Sequence, residues 1–284
     1  MTDTAPIKSF AVIGNPIAHS RSPAIHEAFA RQLGVALRYT RIHAPTDQFA
    51  ELVSQFFSEG GSGLNVTLPF KEAAYALART NLSERARLAG AVNTLWMENG
   101  ALHGCNTDGI GLLRDIVRLG VAIRDKKILL VGAGGAAKGV VYPLLEAQCA
   151  SLRIVNRTPG RASDLQAHIA GVLPQYAAKI SAGGLEQAEG QWDIVINATS
   201  SSLGELPPNL PDAIYSPDAL AYDMMYAAEP TPFMAQALAQ GARQVADGLG
   251  MLVGQAAASF AIWHQLEPDV EPVLADLRQQ IRRA

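Results

Sequence analysis

One segment of this 284-residue chain constrains its fold more than any other: KKILLVGAGGAAKGVVYPLLEAQCASLRIVNRT, residues 126–158. A short apolar run comes first, a glycine cluster and a helical stretch follow, and a second apolar run ends the segment. A glycine turn between a strand and a helix, inside one βαβ unit, is the fingerprint of dinucleotide binding. The segment therefore predicts a Rossmann-type parallel sheet with a nucleotide at its edge.

Each small residue of this turn has a predicted task. Gly132 allows the tight turn, and Gly134 lets backbone N–H groups approach a pyrophosphate. Gly135 and Ala137 are expected to keep the helix close to the sheet. The positive end of the helix dipole then faces the phosphates.

The residues after the second strand predict which nucleotide is bound. NAD sites carry Asp or Glu there for the ribose hydroxyls, whereas this chain has Asn156, Arg157, Thr158 and Arg161. A carboxylate would repel a 2′-phosphate, whereas guanidinium groups offer it a planar fork of donors. The segment favours NADP, and the alternative is a pair of solvated surface arginines.

The rest of the chain repeats the alternation of strands and helices. Short β-rich runs appear at SFAVIG, LRYTRI, GLNVTL and WDIVINA, with helical patterns between them. Continuous apolar strands are typical of sheets covered by helices on both faces. The predicted fold class is α/β, with two α/β domains at this length, and a boundary is placed at the start of NTDGIGLLRDIVRLG. The residues alone leave open whether residues 248–284 extend the second domain or return to the first.

Composition excludes several kinds of partner. The net charge is −3 and the cations are scattered, so the basic stripe that nucleic acids require is missing. No apolar run reaches the roughly 18 to 20 residues of a membrane span, and the first residues lack a signal-peptide core. Two cysteines, Cys105 and Cys149, suit a reducing cytoplasm, and the six histidines show no zinc-ligand spacing, so no metal is expected.

Two segments near the N-terminus carry candidate chemistry. In GNPIAHSRSPAIHEAFA, Ser22 and Pro23 form an N-cap and N1 pair, and Ser20 and Ser22 could donate hydroxyl hydrogens to a carboxylate. The residues alone favour a helix cap at Ser22, with the carboxylate role as the alternative. In GLNVTLPFKEAAYALA a strand is predicted to stop at Pro69 and a helix to begin with Lys71 in its first turn.

The first turn of a helix is an unfavourable place for the charged side chain of a lysine unless an anion lies nearby. Asp108, in NTDG, is a candidate for that anion, although it could simply cap the next helix. Interconversion of an alcohol and a ketone needs a proton moved at oxygen when hydride moves at carbon, and Lys71 could supply that proton.

Taken together, these segments resemble the shikimate dehydrogenase family, and the match extends over the whole chain. The matching motifs are GNPIAHSRSP, NVTLPFK, GAVNTL, NTDG, GAGGAA, NRT, INATS, DMMYAAEPTPF and DGLGMLVGQAA. Glycine turns are widespread, but NVTLPFK followed by NTDG and GLGMLVGQA is specific. Small departures are Ala227, where many members have Gly, and Glu27 after His26.

The resemblance implies an assignment of site residues. Lys71 and Asp108 would be the catalytic pair, and the substrate would be bound by Ser20, Ser22, Asn65, Thr67, Lys71, Asn93, Asp108, Tyr226 and Gln255. The cofactor contacts would be Gly132, Ala133, Gly134, Gly135, Ala136, Asn156, Arg157, Thr158, Arg161, Ala198, Thr199, Met224 and Gly248.

The resemblance also implies the domain plan and the reaction. Residues 1–105 and 248–284 would form a substrate-binding domain, to which the C-terminal helices return, and residues 106–247 an NADP-binding Rossmann domain. The expected activity is reversible NADPH-dependent reduction of 3-dehydroshikimate to shikimate, in the cytoplasm, with a homodimer as a possible assembly. The alternatives are a quinate/shikimate dehydrogenase of broader substrate or NAD use, and a non-catalytic NADP-sensing module, which should lack the Lys71 and Asp108 pair.

Overall fold

The computed structural model describes residues 7–199 and 206–283 and has the predicted α/β fold. The strands are β1 Lys8–Gly14, β2 Leu37–His43, β3 Gly61–Val66, β4 Thr94–Glu98, β5 Ala101–Cys105, β6 Lys127–Val131, β7 Ser151–Val155, β8 Ile180–Gly183, β9 Trp192–Asn197, β10 Tyr215–Asp223 and β11 Gln244–Asp247. The helices are α1 Ser22–Leu33, α2 Phe49–Ser58, α3 Lys71–Leu77, α4 Glu84–Ala89, α5 Asp108–Arg118, α6 Gly135–Glu146, α7 Pro159–Val172, α8 Pro232–Ala239, α9 Leu249–His264 and α10 Val270–Arg283.

The chain divides into two compact units, neither of which is continuous in sequence. The first contains residues 1–107 and 253–273, and the second residues 108–252 and 274–284. The sequence prediction placed the boundaries after 105 and 247 and assigned the whole C-terminus to the first domain. In the structure most of α9 groups with the first unit, whereas most of α10 groups with the second.

The first unit is built on a mixed five-stranded sheet of order β2-β1-β3-β4-β5. β1 pairs in parallel with β2 and β3, and β4 is antiparallel to both β3 and β5. The chain moves from β1 to β2 on one side and then returns to β3 on the other, which makes the gap between β1 and β3 a topological switch point. Ligands of open α/β sheets bind beyond the carboxyl ends of strands at such points.

Alternation along β1 explains why its sequence is apolar throughout. Ala11 and Ile13 lie in one hydrophobic cluster, and Phe10 and Val12 lie in another. Successive side chains point to opposite faces of a strand, so β1 is covered on both faces. Burial on both faces fixes the carboxyl end of β1 rigidly, and the first candidate site lies there.

The second unit is built on a six-stranded sheet of order β11-β10-β9-β6-β7-β8, with every pairing parallel. Read from β8, this is the 3-2-1-4-5-6 order of dinucleotide-binding folds, and its switch point lies between β6 and β9. The Rossmann prediction is therefore confirmed. The apolar residues of β6 from Ile128 to Val131 are fully buried, as a central strand requires.

Several strands were not predicted from the sequence, and the end of one strand was predicted too late. β4 and β5 form a hairpin around Asn99 and Gly100, which have φ values of 51° and 76°. Asn-Gly is the strongest short-range hairpin signal, so this pair could have been predicted. β8, β10 and β11 were also not singled out, and β3 ends at Val66 rather than at Pro69.

Candidate functional site

The serine turn, residues 17–22, follows β1 at the carboxyl edge of the first unit's sheet. Helix α1 begins at Ser22, its N-cap residue is Arg21 and no side chain caps it, so the predicted N-cap role of Ser22 is wrong. Ser22 and Pro23 instead occupy the first helical turn. The Ser20 Oγ accepts from the Ser22 N–H at 3.3 Å and lies 3.2 Å from the Ser22 Oγ. The Ser22 hydroxyl is thus not occupied by capping.

Thr67 and Lys71 follow β3 at the same edge. The Thr67 N–H donates to the Ile13 carbonyl at 3.0 Å, so the two loops run side by side. Gly14 makes this approach possible, because a Cβ there would overlap the Thr67 methyl group. Lys71 is half-buried as the first residue of α3, as the sequence predicted. The switch point of the first unit therefore gathers both predicted segments.

A buried network of amides and hydroxyls lies next to this edge. The Asn65 Nδ2 donates to the Asn93 carbonyl at 3.1 Å and to the Ser259 Oγ at 3.0 Å. The Asn93 Nδ2 donates to the Thr107 Oγ1 at 2.9 Å and to the Gln255 Oε1 at 3.3 Å. Three predicted substrate residues, Asn65, Asn93 and Gln255, thus belong to one network within the first unit. Buried amides that are bonded on several sides cannot rotate freely.

Sequence reasoning missed four members of this network: Tyr39, Thr94, Thr107 and Ser259. The Tyr39 hydroxyl donates to the Asn65 Oδ1 at 2.7 Å. The Ser259 Oγ lies 2.7 Å from the Thr94 Oγ1 and 3.3 Å from the Thr107 Oγ1. These residues come from β2, β4, the loop before α5 and α9, and nothing in a single sequence links them.

His26 packs beneath the serine turn in an aromatic cluster. Its ring stacks on Tyr39 with centroids 4.4 Å apart and planes at 12°, and Trp263 lies 5.3 Å away. Burial, with a smaller effect of the neighbouring His264, lowers the pKa of His26 to about 3. His26 is therefore a neutral ring that packs against Tyr39, and it is not a proton donor at neutral pH.

The glycine turn of the second unit has the geometry predicted for it, with one exception. Gly132 has a φ of 116°, and a Cβ there would lie 3.2 Å from the backbone of Ala198 and from the Thr199 methyl group. A Cβ at Gly134 would face open space, which leaves room for a ligand against the N-terminus of α6. Gly135 also faces open space, so its predicted packing on the sheet is wrong, whereas Ala137 is fully buried.

The segment after β7 is exposed and cationic. The Asn156 Nδ2 donates to the Thr158 carbonyl at 2.9 Å, which closes a turn. Arg157, Thr158 and Arg161 are exposed. Within residues 7–199 and 206–283, neither guanidinium has an ion-pair partner, so both can meet an anion from solvent.

A second polar cluster lies beyond β9 and β10 in the same unit. The Asn197 Oδ1 accepts from the Thr199 N–H at 3.1 Å, and the Asn197 Nδ2 donates to Asp223 at 3.2 Å. Asp223 also accepts from the Thr231 hydroxyl at 2.6 Å. The cluster fixes the loops that carry Ala198, Thr199 and Met224, although the sequence reading named none of its buried members.

Gly248 lies against Met224, because a Cβ at Gly248 would overlap the Met224 carbonyl. Four late cofactor predictions, Ala198, Thr199, Met224 and Gly248, therefore lie at the carboxyl ends of β9, β10 and β11. Asp108 is 5% exposed and begins α5 in the second unit, and Tyr226, predicted as a substrate residue, is half-buried in that unit.

Metal-binding clusters and membrane-spanning helices are both absent from the described residues. Residues 7–199 and 206–283 contain no cluster of three or more His, Cys, Asp or Glu that could bind a metal. Among the same residues, no helix has both the length and the apolarity needed to cross a membrane.

Comparison with known proteins identifies relatives along the whole chain. The family models for the shikimate dehydrogenase substrate binding domain, for shikimate / quinate 5-dehydrogenase and for the shikimate 5'-dehydrogenase C-terminal domain match residues 12–95, 115–206 and 248–278. The chain is 59% identical to the shikimate dehydrogenase (NADP(+)) of Bordetella avium (strain 197N) over 281 residues, 99% of each chain.

Two solved structures are similar over nearly their full length. The shikimate 5-dehydrogenase of Thermus thermophilus, in complex with NADP(H) and shikimate, is 31% identical with a TM-score of 0.84, covering 96% of this chain and 99% of that one. The Listeria monocytogenes shikimate 5-dehydrogenase, in complex with shikimate and NAD, is 28% identical with a TM-score of 0.85, covering 98% and 99%.

Proposed function

The chain belongs to the shikimate dehydrogenase family and is an NADP-dependent oxidoreductase, and from that membership we propose the work of its individual residues. The reaction is the reversible NADPH-dependent reduction of 3-dehydroshikimate to shikimate. One observation supports the residue assignment most strongly: the switch point of the first unit gathers the serine turn, Thr67 and Lys71 beside the buried amide network.

The first unit binds the substrate through its hydroxyls and amides. Ser20 and Ser22 donate to the substrate carboxylate, because the Ser22 hydroxyl is not occupied by capping and lies in the first turn of α1. Asn65, Thr67, Asn93 and Gln255 hydrogen-bond the ring hydroxyls or the carboxylate, with Tyr226 as a further contact. A site built to bond hydroxyls rejects analogues that lack them, because its own polar groups then stay unpaired.

The second unit fits NADP. The open space at Gly134 admits a pyrophosphate at the N-terminus of α6, and Arg157 and Arg161 offer free guanidinium groups to a 2′-phosphate. No acidic residue stands in Asn156–Arg161 to select the ribose hydroxyls of NAD. The resemblance adds Ala198, Thr199, Met224 and Gly248 near the nicotinamide end.

Lys71 and Asp108 perform the proton transfer. The bound nucleotide supplies the hydride for the carbonyl carbon. Lys71 donates a proton from its ammonium group to the carbonyl oxygen, and in the reverse direction its neutral amine accepts the hydroxyl proton. Asp108 stabilises the ammonium form through its carboxylate.

A four-way assay tests the proposed function. Shikimate and quinate are each offered with NADP and with NAD, and nicotinamide absorbance is followed. We expect the highest kcat/KM for shikimate with NADP. Turnover of quinate at a comparable kcat/KM would indicate the broader quinate/shikimate activity, and absence of turnover with all four pairs would contradict the function.

The cytoplasm is the proposed compartment, since Cys105 and Cys149 are both buried free thiols. The homodimer stays a prediction, and light scattering of the purified chain would measure its mass directly.

A further inference from the structure

One face of β2 contacts the candidate substrate site through two residues that the proposed function does not use. Tyr39 and Arg41 are two positions apart on β2, opposite Phe10 and Val12 of β1, so their side chains leave the same face of the sheet. We propose that Tyr39 and Arg41 are positioning residues that fix the serine turn and Asn65 for the substrate carboxylate and ring. The proposal rests on the proposed function.

Tyr39 acts from the buried side. Its ring is 4% exposed and stacks on His26, so the position of its hydroxyl is set by packing. That hydroxyl donates to the Asn65 Oδ1 at 2.7 Å. Because the Asn65 Oδ1 is thus occupied, the amide is held in one orientation, with Nδ2 directed at the Asn93 carbonyl and at Ser259.

Tyr39 also packs beside the helix that begins with the serine turn. Its ring stacks on His26 of α1, the helix whose first residue is Ser22. Burial raises the pKa of the Tyr39 phenol well above its usual value, so the hydroxyl keeps its proton and stays a hydrogen-bond donor. Loss of the hydroxyl would leave the Asn65 Oδ1 without this donor.

Arg41 acts from the exposed side. Its Nε and Nη2 both donate to the Ser20 carbonyl, at 3.0 Å and 2.6 Å. Exposed polar contacts usually contribute little to stability, so this pair is not expected to affect folding. Its effect is local, because a forked guanidinium fixes the direction of one carbonyl and adds positive charge beside a carboxylate site.

Three variants and one control test the proposal in the assay of shikimate oxidation with NADP. Tyr39→Phe keeps the ring and its stacking on His26 but removes the hydroxyl. Arg41→Ala removes the fork, and Arg41→Lys keeps the charge without the fork. Arg38→Ala is the matched control, because Arg38 is an exposed arginine of the same strand on the opposite face. KM and kcat are measured for shikimate and for NADP, with the melting temperature of each variant.

We expect Tyr39→Phe and Arg41→Ala each to raise the KM for shikimate about five-fold, the effect of one ordinary hydrogen bond. The kcat, the KM for NADP and the melting temperature should stay near those of the wild type. Arg41→Lys should recover only part of the loss, and Arg38→Ala should behave as the wild type.

Unchanged KM for shikimate in both Tyr39→Phe and Arg41→Ala would overturn the proposal. So would an equal loss for shikimate and NADP with a lowered melting temperature, since that is the signature of a merely structural role. These outcomes are distinct from failure of the proposed function, in which the wild-type chain itself would not turn over shikimate.

Discussion

Lys71 is the residue that donates and accepts the proton in the proposed transfer. Lys71→Ala should lower kcat by about two to four orders of magnitude, the usual contribution of a general acid, with a modest change in KM. The measurement is steady-state kinetics with shikimate and NADP. Lys127→Ala, an exposed lysine at the start of β6, is the matched control. Turnover near the wild-type rate in Lys71→Ala would remove this residue from the mechanism.

Arg157 tests the nucleotide preference at the same scale. Arg157→Ala should raise the KM for NADP far more than the KM for NAD, because only NADP carries the phosphate that the guanidinium would contact. Arg38→Ala serves again as the arginine control. If both nucleotides lose affinity equally, the 2′-phosphate role of Arg157 is excluded.

Single residues were predictable where a local pattern carries a chemical reason. Lys71 at a helix start and the arginines after β7 are of this kind. Tyr39 and Ser259 were not predictable, because their importance arises from bonds to Asn65 across 26 and 194 positions of sequence. A buried hydroxyl on a strand or helix has no signature of its own until its partner is located.

At the scale of elements, the start of α9 depends on a glycine that the reaction does not use. A Cβ at Gly250 would overlap the Asp115 carboxylate, which is 4% exposed. That carboxylate cannot move easily, because it accepts from the Tyr222 hydroxyl at 2.6 Å and from the Arg118 Nε at 2.7 Å. The helix therefore begins against a fixed carboxylate with no room for a side chain.

Two glycine-to-alanine changes in helices should accordingly have opposite effects on the free energy of unfolding. Gly250→Ala should lower the free energy of unfolding by about 1–3 kcal/mol through overpacking. Gly171→Ala should raise it by about 0.5–1 kcal/mol, because a Cβ there meets nothing within 4 Å and alanine favours helix. Urea unfolding of both variants measures this, and destabilisation of the same size in both would contradict the packing argument.

Strands were predicted best where their sequence is largely apolar. β1, β6 and β9 are largely apolar because both of their faces are covered, and each was recognised. β8, with only four residues, and β10, whose first half is polar and exposed, give weaker patterns. The β4–β5 hairpin was not predicted, although its Asn-Gly turn is a local signal from which it could have been.

At the scale of the whole molecule, His26 should make stability depend on pH. Its pKa is about 3 in the folded chain, against 6.5 for the ordinary side chain, so the unfolded chain binds a proton that the folded chain excludes. Above pH 6.5, His26 is neutral in both states and does not lower the free energy of unfolding. As pH falls from 6.5 towards 3, this free energy decreases by about 1.4 kcal/mol per pH unit because of His26.

His26→Phe should therefore reduce the slope of the unfolding free energy against pH between 6.5 and 4.5. The reduction should correspond to about one fewer proton taken up on unfolding. Urea unfolding at several pH values in this interval measures the slope. His168→Gln changes an exposed histidine and should leave the slope as it is in the wild type. An unchanged slope in His26→Phe would show that His26 does not titrate with unfolding.

The two-unit plan of the molecule was predictable in outline from length and from the family motifs. The details were not, because the assignment of α9 and α10 depends on contacts made far from where they stand in sequence. Apolarity on all sides told us that α9 is buried, but not in which unit.

The first unit is formed by two separate segments of the chain, which has a practical consequence for its production alone. A stop codon after Thr107 would delete the α9 segment and, with it, the Ser259 hydroxyl that bonds Asn65 and Thr94. The amides would be stripped of their partners and the fragment would expose the apolar surface that Trp263 covers against Phe10. A gene for the first unit must therefore encode residues 253–273 directly after residue 107, in one reading frame.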